Sequence, residues 1–116
     1  MSNWKIIYYE TDSRTSPVFD FIQSLGSKAK AKVINALDLL VEYGIQIGPP
    51  KVKKVTSTDI WELRILGKDN IRIFYVASSG RSFLLLHGFL KKRQKTDKKE
   101  IKIATLRLKD YKSRMN

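Results

Sequence analysis

A chain of 116 residues, 42% of them hydrophobic, has the length of one domain, 1–116, and enough apolar side chains to bury a core. It has no cysteine, which excludes disulfides and thiolate metal sites, and no apolar run approaches the ~18 residues of a membrane span. The formal net charge of +12, with a pI near 10.0, calls for an anionic partner.

The start, Met1-Ser2-Asn3-Trp4-Lys5, lacks the apolar region of a signal peptide, so a soluble cytoplasmic protein is expected. Trp4–Glu10 is rich in β-forming residues and reads as a first strand. Thr11–Thr15 is polar and turn-like. Ser16 then offers an N-cap and Pro17 a first helical position, where a missing N–H does no harm. Val18, Phe21, Ile22 and Leu25 fall on one face, and Gly26 ends this helix. Ser27 is expected to cap a second helix to about Tyr43, with Val33, Ala36, Leu37, Leu40 and Val41 as its apolar stripe. Lys28, Lys30 and Lys32 crowd its first turns, against the helix dipole. Gly44 closes it. The pair reads as an antiparallel helical hairpin packed on a sheet.

Ile45–Asp59 reads as a long connection holding Gly48-Pro49-Pro50 and Lys51-Val52-Lys53-Lys54. A connection of this length is functional about as often as it is plain surface. The stretch from Trp61 to Lys92 organises the rest. Ile60–Leu66, Ile71–Ala77 and Ser82–Leu90 are apolar runs separated by Gly67-Lys68-Asp69-Asn70 and Ser78-Ser79-Gly80-Arg81. Those gap residues suit tight hairpins, so a three-stranded antiparallel meander is expected. In its first strand Trp61, Leu63 and Ile65 face one way and Glu62, Arg64 and Leu66 the other. Lys91–Lys95 is a basic link. Asp97 with Glu100 fits a capping box, opening a last helix to about Arg114 with Ile101, Ala104, Leu108 and Tyr111 on one face. The class is α+β, in the order β-α-α-β-β-β-α, with helices against one mixed or antiparallel sheet.

Charge is concentrated late in the chain. From Lys91 onward eleven basic residues stand against Asp97, Glu100 and Asp110. Nucleic acid or an acidic protein is the expected partner. A membrane surface ranks lower, because the basic last helix lacks an aromatic-rich apolar face.

Conventional catalytic sets are missing from the sequence. His87 is the one histidine, the acidic residues are scattered, and there is no GxSxG, P-loop or GxGxxG motif. What remains is a concentration of cations near the sheet: Arg64, Arg72, Lys91, Lys92, Arg93 and Lys95, with Lys51, Lys53 and Lys54 on the preceding connection. Cations suit RNA cleavage by internal attack. There the 2′-OH displaces the 5′-oxygen at phosphorus, and negative charge builds on the phosphoryl oxygens. Arginine grips such oxygens through a planar fork, and a desolvated lysine among other cations can move protons. The same residues would equally serve plain phosphate binding.

Arginine inside a strand needs a solvated edge, a carboxylate or an anion. For Arg72 the rival to a functional role is pairing with Glu62 or Asp59, and for Arg64 an edge ion pair with either. His87 reads as a satisfied core histidine, with a proton-donor role open. Trp61, Phe74, Tyr75 and Phe89 read as core, with a stacking role on a base open for one of them. Tyr111 reads as packing.

The ordered set Glu62-Leu63-Arg64, Arg72-Ile73-Phe74-Tyr75 and Phe89-Leu90-Lys91-Lys92-Arg93-Gln94-Lys95-Thr96 resembles the RelE/ParE superfamily of toxin–antitoxin toxins, and within it the phage-derived HigB-like branch. Ser16-Pro17-Val18, Asp20-Phe21-Ile22, Leu25-Gly26 and Glu100-Ile101 with Ala104 are also similar, so the likeness spans nearly the whole chain. It implies a RelE-like domain and metal-independent, cofactor-free mRNA cleavage on the ribosome, at the A site of the small subunit. The ends left would be a 2′,3′-cyclic phosphate or 3′-phosphate and a 5′-OH. It also implies a helix-turn-helix, HigA-like antitoxin in a toxin–antitoxin hetero-oligomer. By position, Arg72 corresponds to the family's catalytic arginine, and Arg64, Lys91 and Lys92 join it as catalytic candidates. Lys53, Lys54, Arg93 and Lys95 are RNA-binding candidates, with Lys54 or Lys95 assisting proton movement. Glu62 stands where the RelE branch has lysine. Two other readings stay open: a non-catalytic basic module for nucleic acid or the ribosome, and a ParE-like gyrase inhibitor.

Overall fold

The computed structural model describes residues 4–48, 51–65 and 67–115. The elements in chain order are β1 (Lys5–Tyr8), α1 (Pro17–Gln23), α2 (Ser27–Tyr43), β2 (Val52–Lys54), β3 (Trp61–Ile65), β4 (Ile71–Ser78), β5 (Ser82–Leu90) and α3 (Lys98–Arg114). A single 3-10 turn, Gly44–Gln46, follows α2. The five strands form one mixed sheet in the order β1-β5-β4-β3-β2. β1 runs parallel to β5, and the other neighbours are antiparallel. This is the expected α+β fold, with one strand more than the sequence suggested.

That strand is β2. It lies inside the expected long connection and pairs Val52, Lys53 and Lys54 with Leu63, Glu62 and Trp61. Three residues carry no readable period. The pairing is supplied by β3 and by the turn between them, where Thr58 Oγ1 donates to the Val55 carbonyl and accepts from the Ile60 amide. Ser57 takes a positive φ there. The expected placement of Gly48-Pro49-Pro50 falls partly, and the outward side of Leu66 wholly, outside the described residues.

The two expected hairpin gaps form as read. Gly67 and Asn70 have positive φ in the first, Gly80 and Arg81 in the second. The Asn70 carbonyl also accepts from the Lys91 amide at 2.8 Å, which ties the start of the basic link to the β3–β4 turn.

Helix ends follow local chemistry, with three corrections. Ser16 caps α1 as expected, its hydroxyl accepting from the Phe19 amide. α1 ends at Ser24, before Gly26. Gly26, not Ser27, holds the N-cap position of α2, and it makes no side-chain cap bond. Asp97 caps α3 by accepting from the Lys99 amide. Glu100 does not close a capping box, because its carboxylate is bonded to His87 instead.

Each sheet face builds its own core. α1 and α2 cover one face, packing Val18, Ile22, Val33, Leu37 and Leu40 on Leu63, Ile65, Ile71, Ile73 and Leu85. Gly88 lets α1 sit close: a Cβ there would lie 2.5 Å from the Phe21 ring. α3 covers the opposite face, setting Ala104, Ile101 and Leu108 against Phe74, Val76, Leu84, Leu86 and Phe89.

A bulge separates the Phe74–His87 and Tyr75–Leu85 pairs, leaving Leu86 as the extra residue of β5. The bulge brings His87 onto the α3 face, and the Leu86 carbonyl accepts from Arg107 of α3 at 2.9 Å. No described helix is long and apolar enough to cross a membrane.

Candidate functional site

Alternation along β3 and β4 decides which side chains reach the α3 face. Leu63, Ile65, Ile71 and Ile73 go under the helical hairpin. Glu62 and Arg64 on β3 therefore stand opposite Phe74 and Arg72 on β4, on the other side. α3 covers only part of that side. The rest is an open cleft of about 490 Å³ between the β2–β3 hairpin and the link after β5. Lys53, Lys54, Arg64, Lys91 and Lys95 line it, with Glu62 as the one carboxylate among the described residues there and Phe74, Thr96 and Ile101 also in its wall. A second hollow of about 280 Å³ adjoins it, sharing Lys91 and Lys95 and adding Lys92, Arg93 and Lys99 beside Asp97 and Glu100.

Glu62 is buried, 4% exposed, and held at both oxygens. Arg64 Nε lies 3.4 Å from Oε1, and the Thr96 hydroxyl donates to Oε2 at 3.3 Å. The Thr96 bond fastens the basic link across the cleft. Arg64 therefore makes the edge ion pair foreseen for it while still lining the cleft. A pair this exposed on the arginine side is only lightly stabilising.

Arg72 lies deeper. It is 8% exposed and lines neither hollow. Its Nη1 donates to the Ile71 carbonyl at 3.0 Å, and its Nε has no acceptor among the described residues. No carboxylate ion-pairs with it there. Burial pulls its pKa below the usual arginine value, Glu62 pulls it back up, and the Arg64 charge lowers it again. A buried guanidinium with an idle N–H is costly to maintain, and an anion reaching it would supply the missing acceptor.

His87 is satisfied, as read from the sequence. Its Nε2 is 2.8 Å from Glu100 Oε1, and its Nδ1 is 3.3 Å from Arg107 Nη1. Arginine can only donate, so Nδ1 accepts and the Nε2 proton goes to Glu100. Burial lowers the His87 pKa most, Glu100 opposes this, and Arg107 adds to it. The ring is stacked on Phe89, with centroids 5.2 Å apart.

The aromatic residues divide. Phe74, Tyr75 and Phe89 are buried as expected, but Trp61 is 37% exposed. Lys54 Nζ lies over its ring, 5.9 Å from the centroid. Sequence reading also missed the Tyr9 network. The Tyr9 hydroxyl donates to Asp110 at 2.6 Å, Arg114 binds the same Asp110 oxygen at 2.7 Å, and Arg107 and Arg114 lie over the Tyr9 ring. It ties the end of α3 to the residue after β1, and nothing in the periodicity of either segment announces it.

The structure thus brings Arg64, Lys53, Lys54, Lys91 and Lys95 to one cleft, sets Lys92 and Arg93 on the adjoining hollow, and leaves Arg72 in the sheet beneath. Among the described residues no group of three or more His, Asp and Glu could hold a metal ion. Fold and cleft together define an α+β domain of RelE type with a cationic hollow on the open half of its sheet. The sequence pattern of the family described as "Phage derived protein Gp49-like" matches residues 20–109, and the chain belongs to that family. It is a family of RelE/ParE-like toxins of toxin–antitoxin systems, which implies a cognate antitoxin. No curated protein matches the chain.

Proposed function

We propose that this chain is a HigB-like toxin, acting as one cytoplasmic domain, that cleaves mRNA on the ribosome without a metal. The carrying observation is the convergence of five cations on one cleft around a single carboxylate that is already bonded. The RNA backbone lies in the cleft, where Arg64 and Lys91 hold phosphates. Lys53, Lys54 and Lys95 extend the grip, and Lys92 and Arg93 take the strand onward across the adjoining hollow. Arg72 offers its idle Nε to the scissile phosphate once the strand displaces the side chains above it. The 2′-OH attacks phosphorus, the 5′-oxygen leaves, and Lys54 or Lys95 assists proton movement. Cation-rich surroundings stabilise the extra charge of the transition state. The products carry a 2′,3′-cyclic phosphate, or the 3′-phosphate formed from it, and a 5′-OH. A HigA-like helix-turn-helix antitoxin neutralises the toxin.

One observation favours a second reading, a basic module that blocks the ribosome without cutting RNA. Glu62 and His87 are both engaged, and Arg72 lies below the cleft surface. Primer extension on cellular transcripts during induced expression decides between the two. Discrete breaks inside reading frames support the interferase. Halted growth over intact transcripts supports the blocking module.

A further inference from the structure

The cationic cleft does not stop at the edge of the sheet. Among the described residues β2 is the terminal strand, with β3 as its one neighbour. A groove of about 340 Å³ lies at this end of the sheet, lined by Ile47, Val52, Lys53 and Lys54 with Trp61 and Arg64 of β3. Lys53, Lys54 and Arg64 line this groove and the main cleft alike. One run of cations therefore leads from the cleft along β2 to an indole.

Trp61 is where that run arrives. Phe74, Tyr75 and Phe89 are 0%, 5% and 6% exposed, so none can receive a ligand ring. Trp61 is 37% exposed, with apolar Ile45, Ile47 and Val52 around it and the Lys54 ammonium above. A nucleobase needs accessible aromatic surface and a nearby cation for its own phosphate, and the part-exposed indole with Lys54 beside it offers both. Paired bases are stacked already and cannot present a free face.

We propose that Trp61 is a stacking platform for an unpaired nucleobase next to the phosphates held in the cleft, so that the protein selects single-stranded RNA. The inference rests on the proposed RNA-cleaving function and adds a base subsite to it. Lys54 spans the two subsites, neutralising the phosphate between them. The shared lysines favour a polyanion here over a protein segment, which the apolar rim alone would also suit.

The probe is a short single-stranded RNA with 2′-O-methyl riboses, which lacks the attacking hydroxyl and so binds without being cut. Binding is followed at low salt by tryptophan fluorescence and by a separation assay, for the wild type, Trp61→Ala, Trp61→Phe and Arg64→Ala. Binding should quench the wild-type emission. Trp61→Ala should weaken affinity about 5- to 140-fold, the range that base–aromatic stacking supplies. Trp61→Phe keeps a π-face and should bind within about threefold of wild type. The same sequence as a duplex should bind far more weakly.

Unchanged affinity in Trp61→Ala, with loss in Arg64→Ala, overturns the platform and leaves the cleft reading standing. Equal binding of duplex overturns it too. So does a Trp61→Ala variant that loses antitoxin binding but not RNA binding, which would make this corner a protein contact. A wild type that neither binds the probe nor cuts transcripts removes both readings.

Discussion

The two faces of the sheet are written by alternate residues of the same strands, yet they do different work. Under α1 and α2, Leu63, Ile65, Ile71 and Ile73 close a continuous apolar core. On the α3 side, Glu62, Arg64 and Arg72 come from between those positions, and the helix covers only the end where Phe74, Val76, Leu84 and Leu86 stand. One face is committed to stability, and half of the other is released for charge. The fold can carry a buried arginine with an idle N–H because the opposite face holds the sheet together. Sites grafted on a scaffold commonly show this division.

The largest effect that separates the faces is expected at Ile73, which is fully buried under the helices. Ile73→Ala should lower stability by about 2–5 kcal/mol in urea unfolding, through lost burial and the cavity left behind. Next is Glu62, whose carboxylate is the one acidic group among the described residues of the cleft and balances Arg72 and Arg64. Glu62→Leu should destabilise by about 3 kcal/mol, because an uncompensated buried charge remains. If it leaves stability unchanged, the charged face is more open to water than its burial implies.

Gly88 tests how tightly the apolar face is closed. Gly88→Ala places a Cβ against the Phe21 ring and should cost about 1–3 kcal/mol by overpacking, while leaving RNA affinity alone. His87 sharpens the comparison through pH. Its folded pKa is depressed, chiefly by burial. The unfolded chain therefore takes up a proton first as pH falls, so this contribution to stability is complete above an unfolded pKa of about 6.5 and is lost as pH drops through the folded value. Thermal melts from pH 7 downward should show that loss, and His87→Gln should flatten it. The smallest stability effect is expected at Arg64, whose ion pair with Glu62 is partly exposed. Arg64→Ala should change stability by less than about 1 kcal/mol while sharply reducing growth arrest.

Legibility followed the range of the interactions. Ser16-Pro17, Asp97 and the glycine and Asn gaps act within a few residues, and the hairpins and helix starts they mark are present. The apolar stripes of α2 and α3 were equally readable, since periodicity is local. β2 was not, because three residues become a strand only by pairing with β3 across a turn. Glu100 was misread for the same reason, as its partner His87 lies thirteen residues back on a strand displaced by a bulge. The cations of the site were visible as a list, but their sorting was not. That Arg64 and Lys91 line the cleft, Lys92 and Arg93 its neighbour, and Arg72 neither depends on where α3 stops covering the sheet. Trp61 was placed with the core because its alternation is that of Leu63 and Ile65. At the end of β3 next to a three-residue edge strand, the cover runs out.

The proposed reaction is cleavage of RNA by internal attack of the 2′-OH, assisted by these cations. Its most direct test is the chemistry of the ends left on a ribosome-bound message by the purified protein. The wild-type protein should leave a 2′,3′-cyclic phosphate or 3′-phosphate on one fragment and a 5′-OH on the other, with both absent for a folded Arg64→Ala protein. Fragments ending in a 3′-OH, or a message left whole by the folded wild-type protein, would contradict it.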